Sequence, residues 1–313
     1  MVELMVAMTI SLLLLAGVVQ IFSGSKASYV MQEGTSRLQE NARFTLSRLT
    51  HDISAAGYLG CLDSGDPMRP FTNDLTNKAA GSGYDFATPL FGTNDTGPNN
   101  SDTISISRAG ATSGIRLTAP MDEPISDLHL DSNDSAYQAL EQYDILVVGD
   151  CSTASVFMIT NDPTSSAGLI QHAGSITAGS GPNAGQSNVA GDLGAVYGAD
   201  TASIAGAYLV GTSTYRLCNS TSGTGTSLFL NTCDAANELV EGVQDMQFNY
   251  GIDTDGVSGA DEYRDAAAVT AANQWNNVVS VRMTLTFDSV QSVPGGAFDK
   301  EFVTTVRVRN RGG

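Results

Sequence analysis

The feature that most constrains this chain is an unbroken apolar run near its start. Leu4 to Phe22 reads LMVAMTISLLLLAGVVQIF, 19 residues with no charge and one strongly polar side chain, Gln20. As a helix rising 1.5 Å per residue it extends about 28 Å, close to the ~30 Å hydrocarbon core of a bilayer. A cleaved secretory signal has a basic n-region and an apolar stretch of about 7–15 residues. Here no basic residue precedes the run, Glu3 sits at its edge, and Ser23-Gly24-Ser25 alone imitates a cleavage site. The cleaved-signal reading is therefore the weaker one.

The residues after the run extend the same element. Positions 26–59 contain no proline, and only Gly34 and Gly57 as breakers. Leu38, Ala42, Leu46, Leu49, Ile53 and Ala56 recur at spacings of three and four, which makes one apolar stripe on a helix. Arg37, Gln39, Glu40, Arg43, Ser47, Arg48 and Asp52 fall on the other face. The pattern predicts one helix of more than 50 residues, apolar all round in its first half and striped in its second. Such a stripe needs a sheet or a second helix to cover it. Gly24 and Gly34 are the expected flexible points, since a glycine costs about 1 kcal/mol in a helix interior.

From Cys61 onward the chain reads as loops and short strands. The candidates are 103–108, 115–117, 144–148, 155–160, 207–217, 228–230, 243–250, 278–287 and 302–308. Val279 to Phe287 alternates apolar and polar residues with the period of a half-buried strand. The last two candidates read as an antiparallel pair with a long connection through Pro294-Gly295-Gly296. Residues 161–206 are rich in Gly, Ser, Ala and Asn and read as a long surface insertion. Strands following one long helix give an α+β class, with the helix packed on a mainly antiparallel sheet. The expected organisation is 1–24 membrane helix, 25–60 amphipathic helix, and 61–313 β-rich head with the insertion near 161–206.

Charge narrows the function classes. Fifteen Lys and Arg stand against 33 Asp and Glu, a formal charge of −18, and no Lys or Arg lies between Arg116 and Arg216. Phosphate neutralisation needs clustered Lys and Arg, so no nucleic-acid partner is expected. The chain has no GxSxG, HExxH, P-loop or GxGxxG pattern, and no enzyme activity is expected. Cys61, Cys151, Cys218 and Cys233 form no CxxC, and His51, His129 and His172 are not at metal-ligand spacing from them, which argues against zinc. In an oxidising compartment four cysteines suggest two disulfides with three possible connectivities. Cys218–Cys233 is the natural local pair, leaving Cys61–Cys151, and buried free thiols are the alternative. Asp253, Asp255, Asp261 and Glu262 gather around Gly256 and could offer oxygens to calcium; no other cofactor is expected. The fifth and twelfth positions of an EF-hand loop counted from Asp253 are Val257 and Arg264, so the stretch is not one. A solvated acidic turn is the plain alternative.

Val2-Glu3-Leu4-Met5-Val6-Ala7-Met8 followed by the apolar run resembles the start of a type IV pilin. The stretches Gln39-Glu40-Asn41-Ala42-Arg43 and Ile53 to Cys61 resemble the PilW group of minor pilins in particular, as does Trp275 to Asn310 with its closing Thr304-Thr305-Val306-Arg307-Val308-Arg309-Asn310. The family pattern includes a short basic leader ending in Gly, which is not found here. Met1 falls about where the mature segment is already under way, so the prepilin peptidase site is not assigned. The resemblance implies a minor pilin of the complex that primes pilus assembly and caps the tip. It implies other minor pilins and the major pilin as partners, and inner-membrane lipid against residues 4–22. The head would be periplasmic and then extracellular in the assembled pilus. Glu3 would pair with a neighbour's N-terminal amine, or else lie at the membrane interface. Leu4, Met5, Leu12, Leu13, Leu14 and Leu15 would carry subunit contacts. A J-type pseudopilin of a type II secretion system and an adhesin or ligand-binding module are the competing readings.

Overall fold

One unbroken helix, Val2–Ser54, dominates the computed structural model and is about 80 Å long at the standard rise. The structure describes residues 2–60, 62–63, 71–78, 81–86, 88–110, 114–198, 205–222, 225–257, 259–289 and 298–310. The helix runs through Gly24 and Gly34 without a break, so neither expected flexible point interrupts it. Gly34 is instead buried at the top of the packed face. That face continues through Leu38, Ala42, Thr45, Leu49, Asp52 and Ile53, with Leu46 partly covered at its margin. The one departure from the expected faces is Asp52, expected among the polar residues and buried completely in the structure. Gly57 follows the helix at φ 75°, a left-handed turn that glycine adopts without strain, and its N–H donates to the Ser107 carbonyl at 3.0 Å.

The stripe is covered by a four-stranded antiparallel sheet. Its order is Glu262–Arg264, Val243–Ile252, Val278–Asp288, Asp299–Arg307. Phe248 lies opposite Met283, and Met246 opposite Leu285, so alternate residues of both strands face the helix. Leu38, Leu49, Ile53, Phe248, Met283, Leu285 and Phe287 form one core with it. The expected final antiparallel pair is present and runs from Ser280 opposite Arg307 to Asp288 opposite Asp299.

A second, eleven-stranded sheet is built around Gly206–Asn219. The first part of this strand pairs with Ile145–Gly149 and Ile115–Ala119; from Val210 on it pairs with Thr103–Ala109, and its end with Thr226–Leu230. One strand thus belongs to the core under the helix and to a separate core further out. All candidate strands appear, with ends shifted by a few residues. The strands that sequence missed, such as Phe71–Asn73, Leu128–Leu130 and Glu238–Glu241, are three or four residues long. An alternation needs more positions than that to register. Phe71–Asn73 runs parallel to Ala154–Met158, an exception in a mainly antiparallel arrangement.

The segment 161–206 does not behave as a surface insertion. Ile145–Gly149 and Ala154–Met158 are buried at every position, so both of their faces need cover. Ile170, Leu193 and Tyr197 cover one face, and Ala178 joins Leu75 and Phe86 on the other. The backbone is held by buried polar groups because the segment has little ladder of its own. Asn188 exchanges two hydrogen bonds with Met158, and Asp74 accepts from Ala190 and Gly191 at 3.1 and 2.8 Å. These side chains stand in for the missing strand neighbours.

Candidate functional site: an exposed membrane helix and its seat

Among the described residues nothing packs against the first half of the helix. Its apolar window has a mean hydropathy of 2.4 and none of it is buried. Leu12, Leu13, Leu14 and Leu15 are 63–73% exposed; consecutive residues step about 100° around the axis, so apolar side chains face every direction. Leu4 and Met5 are equally open, and Glu3 lies in the first turn beside them. Thr9 returns its hydroxyl hydrogen bond to the Val6 carbonyl at 2.8 Å, which removes a polar cost inside the run. So much open hydrocarbon is out of place in water and suits lipid or other apolar helices.

The second half is fixed by a buried carboxylate. Asp52 is reached by the Arg108 guanidinium at 3.0 Å and by the Tyr215 hydroxyl at 2.5 Å. Arg48 on the preceding turn adds Nε contacts to Asp52 at 3.3 Å and to the Tyr215 oxygen at 2.9 Å, and His51 Nδ1 lies 3.0 Å away. Burial works against the Asp52 charge, but the Tyr215 and His51 hydrogen bonds and the two arginines outweigh it and hold the carboxyl below its usual range. Burial and the same carboxylate push the Tyr215 phenol well up, so it stays a donor. Arg108 and Tyr215 come from two strands of the large sheet. The apolar stripe fastens the helix to one sheet and Asp52 fastens it to the other.

The chain's last described residues close the helix end. Helices leave their final carbonyls unpaired. Here the Arg309 N–H donates to Ser54 O at 3.2 Å, and Asn310 Nδ2 to Ala56 O at 3.0 Å. Between the helix flank and the edge strand Asp299–Arg307 runs a groove of about 740 Å³, bordered by Arg43, Leu46, His51, Phe302 and Arg309.

The remaining sequence candidates lie on the head. Asp253, Asp255 and Asp261 each bring a carboxylate oxygen within 4.8 Å of the others. Glu262 is turned away and pairs with Arg264 at 2.6 Å. The turn itself uses part of the set: Asp253 accepts from Gly256 N at 2.7 Å and Asp261 from Thr254 N at 2.8 Å. Three oxygens at this spacing can meet one hard cation, with water or carbonyls completing its shell. Cys218 and Cys233 are joined by a disulfide, which closes the local loop and stabilises by roughly 3 kcal/mol in the chain-entropy account. Cys151 is also disulfide-bonded, while Cys61, its expected partner, lies outside the described residues.

Sequence reasoning missed Asp52, Arg108 and Tyr215 as a unit. One signal was present: Asp52 falls three residues after Leu49 and four before Ala56, on the stripe itself.

The family model for PilW, Type IV Pilus-assembly protein W, matches residues 207–309. No curated protein and no solved structure matches the chain. The matched stretch contains Tyr215, the Cys218–Cys233 bridge, the four-stranded sheet and the Arg309 contact with the helix end. With an exposed apolar helix fastened to that stretch, the match over this third of the chain supports a PilW-family type IV pilus protein and a role in pilus assembly.

Proposed function

We propose that this protein is a minor pilin, a structural subunit of the complex that primes pilus assembly and sits at the fibre tip. The observation that carries the reading is a single unbroken helix with two different halves, one offering hydrocarbon in all directions and one packed on a head. Before assembly residues 4–22 lie in the inner-membrane lipid with the head in the periplasm; in the fibre the same surface packs among the helices of other minor pilins and the major pilin. A carboxylate among packed apolar helices is costly unless paired. Glu3 therefore takes the N-terminal amine of a neighbour and sets its axial register. The head serves as structure and not as a catalyst. Calcium bound by Asp253, Asp255 and Asp261 would stiffen the turn between Val243–Ile252 and Glu262–Arg264.

Affinity purification of the membrane-embedded protein expressed at its native level, with mass spectrometry of partners, tests this. Recovery of minor pilins together with the major pilin is the expected result. Recovery of type II secretion pseudopilins in their place would transfer the protein to that system. Glu3→Ala is expected to reduce incorporation into fibres while leaving the melting temperature of the head unchanged; normal incorporation would remove the register role.

A further inference from the structure

Residues 61–297 carry 27 Asp and Glu against 7 Lys and Arg. In so acidic a head a cation finds partners easily. Arg108 meets Asp52, Arg264 meets Glu262, and Arg282 lies over the Tyr263 ring at 4.1 Å. Arg216 differs. Its guanidinium has no hydrogen-bond or ion-pair partner among the described residues, and its Nε is shut off from solvent with no acceptor. A buried N–H without an acceptor is costly, and more so on a charged group.

The Nε is as closed to a ligand as to water, so the ligand-facing part is the remainder of the guanidinium, and its surroundings show what that part could meet. Successive residues of a strand point to opposite faces. Tyr215 points inward to Asp52, so Arg216 points out. Tyr215 lies opposite Ile104 and Thr93 lies opposite Thr103, which brings Thr93, Thr103 and Arg216 into one row across three neighbouring strands. Thr93 and Thr103 share a hydrogen bond at 2.6 Å. The same outward face continues as Ser105 with Thr214 at 2.8 Å and Ser107 with Thr212 at 2.7 Å, a ladder of hydroxyl pairs. Arg216, Thr93, Thr96, Thr103 and Asn219 border an open cavity of about 680 Å³. Cys218 and Cys233 also border it, so the disulfide holds that wall in place.

We propose that this cavity binds a carboxylated sugar, with Arg216 taking the carboxylate and the threonine hydroxyls and Asn219 exchanging hydrogen bonds with the ring hydroxyls. A guanidinium presents parallel donors that match a carboxylate in a two-point contact. Hydroxyl and amide side chains both donate and accept, as a sugar hydroxyl does. The volume falls within the roughly 300–1,000 Å³ of small-molecule sites and accommodates one or two sugar rings. One cation favours a monoanion; a dianionic phosphate would meet a single positive group in a field of carboxylates. This site is separate from the helix and from the assembly role.

The test uses the full chain in detergent micelles, with glucuronate, glucose and inorganic phosphate as probes in calorimetry or ligand-observed NMR. Saturable glucuronate binding is expected, at least tenfold tighter than glucose, and weakened at least tenfold by Arg216→Gln with no fall in melting temperature. Arg216→Lys keeps the charge, loses the two-point contact, and is expected to fall between the two. Thr103→Val leaves the cation alone and is expected to weaken glucuronate several-fold. Equal binding of glucose and glucuronate, tighter binding of phosphate, indifference to Arg216→Gln, or no saturation with glucuronate in the tens of millimolar range would each overturn the proposal.

Discussion

The two halves of the helix Val2–Ser54 share one backbone geometry and have opposite surroundings. Leu13 and Leu14 are as apolar as Leu38 and Leu49, yet the first pair is about 70% exposed and the second nearly fully buried. The difference lies in the residues three or four places on. In residues 4–22 no neighbour is charged and only Thr9, Ser11 and Gln20 are polar, so no face can be left to water, and the helix needs a solvent or partners that are apolar all round. In the second half charged residues restrict the apolar surface to a stripe, and a stripe can be satisfied by one sheet. Continuity of the helix then makes the halves mechanically dependent. Whatever holds the first half positions the head through the contacts of the second.

The seat of the second half is most easily undone at Asp52. Asp52→Ala leaves the Arg108 charge and the Tyr215 hydroxyl without their acceptor, and is expected to cost about 3–5 kcal/mol, as removal of one partner of a buried ion pair does. Arg48 and His51 are largely exposed and contribute little to that figure. The pH dependence has a definite sign. The folded Asp52 carboxyl is held below its ordinary value, so its stabilisation is present above about pH 4 and is lost as pH falls through the lower folded value. Thermal melts against pH should therefore show a smaller acid-side loss in Asp52→Ala than in the parent; an identical acid limb would remove Asp52 as the anchor.

Two leucine substitutions separate the halves further. Leu49→Ala opens a cavity under the helix and is expected to destabilise the head by about 2–5 kcal/mol in denaturant titrations. Leu13→Lys places a charge in the apolar run at a cost of about 2.5–3.5 kcal/mol for membrane insertion, and is expected to shift the protein from the membrane fraction without moving the melting temperature of the head. If Leu13→Lys destabilised the head, or Leu49→Ala released the protein from the membrane, the halves would not have the separate roles described.

The smallest expected effect is at the acidic turn, remote from the helix. Millimolar calcium is expected to raise the melting temperature by a few degrees through binding to the folded state, and Asp255→Asn to abolish the rise. No shift in the parent protein would leave the turn as a solvated loop whose carboxylates serve only its own N–H groups.

Local regularities were legible in the sequence, and long-range partnerships were not. The helix, its change from all-round to striped, the alternating strand Val278–Asp288 and the Cys218–Cys233 pair each depend on residues close in sequence, so their spacing carries the information. Asp52 depends on Arg108 and Tyr215, which are 56 and 163 residues away; its place on the stripe hints at burial, but no local pattern names the partners. The segment 161–206 misled for a related reason. Gly, Ser, Ala and Asn predict a surface loop when the backbone is assumed to bond to water, whereas Asn188 and Asp74 supply the bonds that let parts of this one cover the buried strands. Arg216 is the same lesson at the head surface: its strand could be read from the sequence, but only the packing of three strands placed it in a row with Thr93 and Thr103 and left it without a counter-charge. Side-chain period, readable along the chain, settles which segments are helix or strand and which solvent each requires. Contacts between residues far apart in sequence exist only in the folded molecule, and they settle which charges are paired, which are buried, and which remain open to a ligand.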